Sequence, residues 1–479
     1  MKKLIYSLLC GSMMLFSGCS GFTDLQPKGT NLLSTVDQLD MLFNSTFDDS
    51  GLNGNDDETL IGDVYPVLTN IPNLINQASP SLTQILFMCN ASADRSQYTL
   101  SDYKYTVYYD IIGKIANPVL AKVDAAEGDA SKAKQLKAEA LVLRAYFEYL
   151  SVNHFAKAYN PATAATDGGV PYPLENDPIT ETCKKYTVQE VYDMINADLD
   201  AAFALNSLLD MNVNQMRVGK AFAYAVRAKV YMSMRQYDKA LEAAQQSLAI
   251  NSTIADYNTM LSDGKSLYTG QSYKLLNRPY LKCKEDLFFT YDEKLFSAFT
   301  PEYSTMFEKG NVAFNTYPSD VRYAGVRLLG PAYYGLDIDC WYIADNTFFS
   351  NSGLTTIDMY LIQAEIDIRN NKIDDAMGLL DKVRVCRVFP EDYQPLKGTI
   401  TTKDAALAKF KQISRTENMW TVKNYINIKR WNSESNEWTE TLKKTVLGKE
   451  YVLAPDSPLW IWAFPSNATS ANENLTQNY

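Results

Sequence analysis

Residues 217–250 read RVGKAFAYAVRAKVYMSMRQYDKALEAAQQSLAI and carry the most regular apolar period of the chain. Ala221, Ala225 and Ala228 fall on one face of a helix, because positions three or four residues apart line the same side. The period breaks at residues 236–238. It then resumes with the apolar positions Ala240, Leu241, Ala244 and Leu248. The stretch predicts two antiparallel helices with small residues at their contact.

A second stretch of the same form, DMYLIQAEIDIRNNKIDDAMGLLDKVRV, occupies residues 358–385. Apolar positions at helical spacing lie on both sides of Asn370 and Asn371, a pair that is typical of a turn. Both stretches resemble the tetratricopeptide repeat, in which small residues let paired helices approach closely.

Two further helix pairs follow from the same reasoning. Residues 134–159 predict one long helix, and its partner begins at Thr187, because Thr187 and Glu190 have the spacing of a capping box. The insert between them, residues 160–185, is rich in Pro, Gly and Asp and predicts a surface excursion. Residues 404–415 and 417–431 predict a fourth pair, from a weaker pattern.

Residues 251–356 keep neither the helical nor the strand period for long, and Gly, Pro, Asn and aromatic residues predominate there. We expect a loop-rich section with short helices or strands, inserted between the helix pairs. Long loops on a rigid scaffold are where binding residues tend to lie.

The first residues have the form of a secretion signal. Lys2 and Lys3 precede an apolar run at residues 4–16, which is shorter than the roughly 20 residues of a membrane-spanning helix. Ser17 and Gly18 then directly precede Cys19.

This arrangement resembles the bacterial lipoprotein box, in which the cysteine is acylated and becomes the new N-terminus. We expect removal of residues 1–18, acylation of Cys19 and a tether at residues 19–35. Fatty chains of this kind hold a protein on a membrane. The alternative is an ordinary secreted protein in which Cys19 is incidental.

Composition excludes several classes of function. Loss of the two lysines of the signal changes the formal charge from −11 to −13, and no basic stripe is present, so nucleic-acid binding is not expected. His154 is the only histidine, which leaves no Ser-His-Asp triad and no histidine-based metal site. Asp337 and Asp339 lack the Gly-centred loop of a calcium site. We therefore predict no catalytic residue, metal or cofactor.

The chain has 32 tyrosines, 20 phenylalanines and 6 tryptophans, and such rings can pack on sugars or apolar side chains when polar groups flank them. Three loop clusters fit this chemistry. The candidate ligand-binding residues are Asp63 and Tyr65 in the first, Asp94, Arg95 and Tyr98 in the second, and Tyr333, Tyr334, Trp341, Tyr342 and Asn346 in the third. Some of these rings could instead contact a protein partner.

Several segments together resemble the SusD/RagB-like nutrient-binding lipoproteins. They run from one end of the mature chain to the other: CSGFTDLQPKGT (19–30), AEALVLRAYFEYL (138–150), GGVPYPLE (168–175), YLIQAEI (360–366), AMGLLDKVRV (376–385), IKRW (428–431) and FPSNATSANENLTQNY (464–479).

The resemblance implies a mainly α fold with four tetratricopeptide-like helix pairs and a loop-rich, variable section that binds ligand. On this basis residues 36–479 are a single SusD-like domain, with the scaffold at about 36–250 and 357–432, the loop-rich insertion at about 251–356 and a C-terminal segment at 433–479. It also implies lipid anchoring at the outer membrane on the cell surface, against a SusC-like TonB-dependent transporter.

The same resemblance implies capture of glycan, which most described members bind, without catalysis. A peptide ligand is the alternative within the family. From other classes, a surface glycoside hydrolase and a purely structural helical-repeat adaptor remain open. A hydrolase would need two carboxylates across a cleft, and nothing in the sequence marks such a pair.

Overall fold

A computed structural model of the chain describes residues 33–45, 47, 56–66, 70–177, 182–265, 272–279, 281–290, 298–309, 319–329, 338, 340–343 and 351–479. The predicted signal and most of the predicted tether lie outside these residues. In the part that is described, the fold is mainly α-helical, as the sequence predicted.

The first part of the chain surrounds one long helix. Its helices are α1 (Val36–Leu42), α2 (Asp56–Ile61), α3 (Ile71–Asn76), α4 (Leu82–Phe87), α5 (Tyr103–Ile111), α6 (Asn117–Lys122) and α7 (Ala130–Phe155). A 3-10 turn at Arg95–Tyr98 follows α4, and a π-helical turn at Ile112–Ala116 joins α5 to α6. Beyond its first two turns α7 is buried on almost all sides, which makes it the central helix of the fold.

The remaining helices form the rest of the scaffold. They are α8 (Val188–Ala204), α9 (Lys220–Ser233), α10 (Tyr237–Ile250), α11 (Pro301–Ser304), α12 (Thr356–Arg369), α13 (Ile373–Arg384), α14 (Lys403–Glu417), α15 (Val422–Asn432) and α16 (Ser466–Ala471). Helices α7 and α8, α9 and α10, and α12 and α13 pack as pairs, and α10 packs on α12 to join successive pairs.

The α9–α10 pair confirms the helical period that was read from residues 217–250. Ala221, Ala225 and Ala228 are fully buried, and the Ser247 hydroxyl donates across the pair to the Ala221 carbonyl at 2.8 Å. The connection is residues 234–236, where Arg235 takes a φ of 59°. Small side chains therefore set the close approach of the two helices.

The α7–α8 pair confirms the predicted capping box but not the predicted end of α7. The Glu190 amide donates to the Thr187 hydroxyl at 3.2 Å, and the Thr187 amide donates to the Glu190 carboxylate at 2.8 Å. Helix α7 ends at Phe155, four residues before the predicted 159. There Lys429 donates to the carbonyls of Asn153 and Ala156, both at 2.6 Å, and so caps the end of α7.

The α12–α13 pair also forms where the period predicted it. Helices α14 and α15 form near their predicted positions, but they do not pack as a pair: α14 packs on α12 and α13, and α15 packs on α2. The α12–α13 connection contains Asn371 with a φ of 58°. Helix α15 starts at Val422, whereas the sequence predicted 417, because Trp420 takes a φ of 59° and Thr421 has extended backbone. A four-residue connection therefore separates α14 from α15.

The strands are short and antiparallel. Their bounds are β1 (Val64–Tyr65), β2 (Gly168–Pro171), β3 (Lys185–Thr187), β4 (Leu261–Lys265), β5 (Ser272–Leu276), β6 (Ala298–Phe299), β7 (Val326–Leu329), β8 (Cys340–Ile343), β9 (Leu442–Val446) and β10 (Lys449–Leu453). β2–β3, β4–β5 and β9–β10 are two-stranded, and a four-stranded sheet has the order β1-β6-β8-β7. This sheet joins residues near position 64 to the loop-rich section.

A buried ion-pair cluster joins α12 to α15. Arg430 donates to both carboxylate oxygens of Glu365 at 2.7 and 2.6 Å, and Arg369 donates to the same carboxylate at 2.8 Å. Burial alone would raise the pKa of Glu365, but the two guanidinium groups hold it at about 2. Glu365 is therefore charged in the folded protein.

Glu148 of α7 is the opposite case. It is fully buried, and neither carboxylate oxygen has a hydrogen-bond partner among the described residues. Burial raises its pKa well above the usual range, and nearby Arg144 offsets only part of this shift. The side chain is therefore held in the neutral, protonated form.

Replacement of Glu148 by Gln is expected to raise the free energy of unfolding more at pH 7 than at pH 4. In the native protein the unfolded state releases a proton from Glu148 above its unfolded pKa while the folded state keeps it, so stability falls as the pH rises. The Gln variant lacks this loss. Urea unfolding at pH 4 and pH 7 measures it, and an equal pH dependence in the two proteins would contradict the prediction.

Candidate functional site

The first predicted cluster lies beneath the surface. Asp63, between α2 and β1, is 2% exposed, forms an ion pair with Arg415 and accepts a hydrogen bond from Asn424 at 3.2 Å. Burial raises its pKa to about 6, although Arg415 favours the charged form. Its side chain therefore joins the segment before β1 to α14 and α15.

Tyr65 is also buried, at 3% exposure, and lies in β1. Its ring packs against Phe87 of α4 with a centroid separation of 6.2 Å. Val446 and Tyr451 of the β9–β10 hairpin belong to the same apolar cluster. Tyr65 thus helps to hold the four-stranded sheet on α4.

The third predicted cluster is only partly within the described residues. Trp341 and Tyr342 lie in β8, while Tyr333, Tyr334 and Asn346 lie outside the described residues. In the sheet, Tyr342 pairs with Ala298, and Ala298 pairs with Tyr65. The fold therefore brings the first and third clusters, which lie far apart in sequence, onto one sheet.

The second predicted cluster surrounds the 3-10 turn after α4. Arg95 is 2% exposed, and its guanidinium donates to the carbonyls of Pro458, at 2.9 Å, and Ile461. It also lies over the ring of Tyr479, 3.9 Å from the centroid. Arg95 thus fixes the C-terminal segment to this turn.

Asp94 and Tyr98 lie at the surface of the same turn. The Asp94 carboxylate accepts from the Ser96 amide at 3.1 Å and from the Tyr479 hydroxyl at 3.2 Å. Tyr98 is 37% exposed, so its ring is accessible to a ligand. This cluster is connected to the sheet through α4, which contacts the 3-10 turn and carries Phe87.

Other exposed apolar side chains extend this surface beyond the predicted residues. They are Leu100, Tyr103 and Tyr479, and together with Asp94 and Tyr98 we call them the Tyr98 surface. Tyr103 could have been found from the sequence, because Asp102 is the N-cap of α5 and places Tyr103 in the exposed first turn.

A second feature was not anticipated from the sequence at all. A groove of about 480 Å³ runs along α14, and we call it the α14 groove. It is lined by Met306, Asp404, Leu407, Ala408, Lys411, Gln412, Arg415, Glu437 and Glu440. Such a volume is within the usual range for small-ligand sites.

The described residues contain no group of three or more His, Cys, Asp or Glu side chains that could hold a metal ion. His154 is buried, with Nε2 3.1 Å from the Asp57 carboxylate and Nδ1 3.2 Å from the Leu150 carbonyl. None of the helices within the described ranges has the length and apolarity that crossing a bilayer requires.

Replacement of Arg95 by Ala is expected to lower the free energy of unfolding by about 2–4 kcal/mol, because the carbonyls of Pro458 and Ile461 lose a charged donor and the Ile461 bond is buried. Chemical denaturation measures the change. Leu100→Ala is the control, since Leu100 is 73% exposed and its loss should change stability by less than about 0.5 kcal/mol. An Arg95→Ala protein of undiminished stability would instead indicate that Arg95 is held for a ligand.

Residues 59–232 match the SusD-like_3 family, whose description is "Starch-binding associating with outer membrane". No curated protein matches the chain in sequence. Solved structures, by contrast, are similar over almost the whole chain.

A SusD superfamily protein from Bacteroides thetaiotaomicron has a TM-score of 0.68 at 16% identity, covering 93% of this chain and 100% of its own. A putative sugar binding protein from Bacteroides vulgatus has a TM-score of 0.65 at 16% identity, with 93% and 98% covered. Surface glycan-binding protein A from Bacteroides uniformis has a TM-score of 0.63 at 16% identity, with 93% and 99% covered. The family match at residues 59–232, on a fold shared over 93% of the chain with a SusD superfamily structure, confirms the resemblance to the SusD/RagB-like family that the sequence segments predicted.

Proposed function

We propose that this protein is a cell-surface lipoprotein that captures an oligosaccharide and delivers it to a SusC-like TonB-dependent transporter in the outer membrane. The observation that carries the proposal is the family match at residues 59–232, on a fold whose solved relatives include proteins named as sugar-binding and glycan-binding. The matched residues include the first and second predicted clusters.

Among the described residues, the Tyr98 surface is best suited to first contact with a sugar. Its rings are exposed, and Asp94 lies beside them with a carboxylate that can accept from hydroxyl groups. Trp341 and Tyr342 of β8 are the second part of the proposed site. Tyr65 lies in the same sheet as Tyr342, and Asp63 directly precedes β1, so both buried residues support this part of the proposed site.

The proposal is one of binding without catalysis. A glycoside hydrolase would need two carboxylates facing each other across a substrate cleft. Two of the buried carboxylates, Asp63 and Glu365, lie instead in ion pairs with Arg415 and Arg430. Turnover of any polysaccharide by the purified protein would contradict the proposal.

The ligand is tested with the full chain carrying Cys19→Ala, on a glycan and peptide array followed by calorimetry. Tyr98→Ala is expected to weaken glycan binding by about five- to tenfold, the effect of losing one ring contact. Tyr98→Phe should bind almost normally, because stacking needs the ring and not the hydroxyl. Equal loss in both variants would contradict a stacking role, and glycan binding unchanged in Tyr98→Ala would place the site elsewhere.

Attachment to the membrane is tested separately. Cells that express the protein are grown with labelled palmitate. The protein should incorporate the label, and Cys19→Ala should abolish this incorporation, because Cys19 is the residue expected to be acylated. Replacement of Cys10, which lies within the expected signal, by Ala is the matched control and should keep the label. Label retained in Cys19→Ala would contradict the proposed acylation of Cys19.

A further inference from the structure

The α14 groove is elongated because its residues form a stripe along one helix. Asp404, Leu407 and Lys411 are spaced three and four residues apart, and the stripe continues to Arg415. Eleven residues of α-helix extend about 16 Å. An extended peptide of about five residues has the same length.

The opposite wall comes from Met306 and from the segment after α15. The Gln412 side chain donates to the Met306 carbonyl at 2.5 Å, and Lys411 donates to the Trp438 carbonyl at 2.6 Å. These bonds hold both walls in place without a ligand. The groove is therefore formed in advance, which lowers the entropic cost of binding.

The groove has an excess of negative charge. Arg415 is neutralised by Asp63, which leaves the carboxylates of Asp404, Glu437 and Glu440 against Lys411. Glu437 also binds Lys403 at 2.9 Å, but both side chains are solvent-exposed and such pairs contribute little. A cationic ligand is thus favoured over an anionic one.

Two polar atoms in the wall lack partners. Arg415 is 7% exposed, and its Nε has no acceptor among the described residues; Oε1 of Glu440 likewise has no donor within that part of the chain. A buried polar group without a partner is costly. Both atoms are shielded from solvent, so a ligand reaches them only when the two side chains turn toward the groove. A peptide unit, with its N–H and its carbonyl, then provides a partner for each.

The apolar part of the lining is aliphatic. Leu407, Ala408 and Met306 contribute it, and none of the described lining side chains is aromatic. Sugars are usually held by stacking on rings, whereas aliphatic side chains and the stems of lysine pack on surfaces of this kind.

We propose that the α14 groove binds an extended peptide segment of about five residues that carries lysine or arginine. The peptide backbone meets Arg415 and Glu440, and the cationic side chains meet Asp404 and Glu437. This site is separate from the Tyr98 surface, so the protein has a peptide site in addition to its proposed glycan site.

The test compares two exposed alanines of α14: Ala408 lines the groove, and Ala405 does not. The probe is the hexapeptide Gly-Lys-Ala-Lys-Ala-Gly, measured by calorimetry against the full chain with Cys19→Ala. Ala408→Trp fills the groove and should weaken binding by about tenfold or more. Ala405→Trp adds the same ring outside the groove and should bind normally.

The charge is tested by Asp404→Asn combined with Glu437→Gln, which should weaken binding of the lysine peptide about two- to tenfold. The matched peptide with Glu in place of Lys should not bind. Failure of the lysine peptide to bind, binding that survives Ala408→Trp, or preference for a glucosamine oligomer would each overturn the proposal. Glycan binding that persists in Ala408→Trp separates this site from the proposed glycan site.

Discussion

The buried carboxylate of Glu365 is the contact on which the helical scaffold depends. It accepts two parallel hydrogen bonds from Arg430 and two more from Arg369, and these bonds fix the position of α15 against α12. Trp431, the residue after Arg430, contributes as well, because its indole N–H donates to the same carboxylate at 3.2 Å. Removing one partner from such a pair leaves a charge buried without compensation, which is strongly destabilising.

Buried polar contacts of this kind also join the separate sequence segments that resemble the SusD/RagB-like family. Glu365 lies in YLIQAEI and Arg430 in IKRW, while Lys429 of IKRW caps the end of α7. Arg144 of AEALVLRAYFEYL binds Glu175 of GGVPYPLE at 2.7 Å and Asp198 of α8. The segments thus contact one another in the fold, and a charged residue of one segment is paired only when the partner residue of another is present.

Local patterns were sufficient for the helix pairs, because the spacing of Ala221, Ala225 and Ala228 or the Thr187 cap acts within a few residues. The ends of α7 and α15 were not predictable, since Lys429 is distant in sequence and Trp420 takes a left-handed conformation. The burial of the candidate site residues could not be predicted from the sequence. Asp63 and Arg95 lie in segments with the composition of ligand-binding loops, but their partners lie more than 350 residues away. No local signal separates an exposed polar residue from one buried by such a distant partner.

The contacts of Arg95 and of the last residues determine when this chain can become native. The Asn478 side chain donates to the Phe155 carbonyl at 2.7 Å, and the Trp462 amide donates to the His154 carbonyl at 2.9 Å. The end of the central helix is therefore completed by residues that lie more than 300 positions later in the chain. Contacts across such long sequence separations form slowly. A chain built in this way completes its central helix only after most of its length is available for folding.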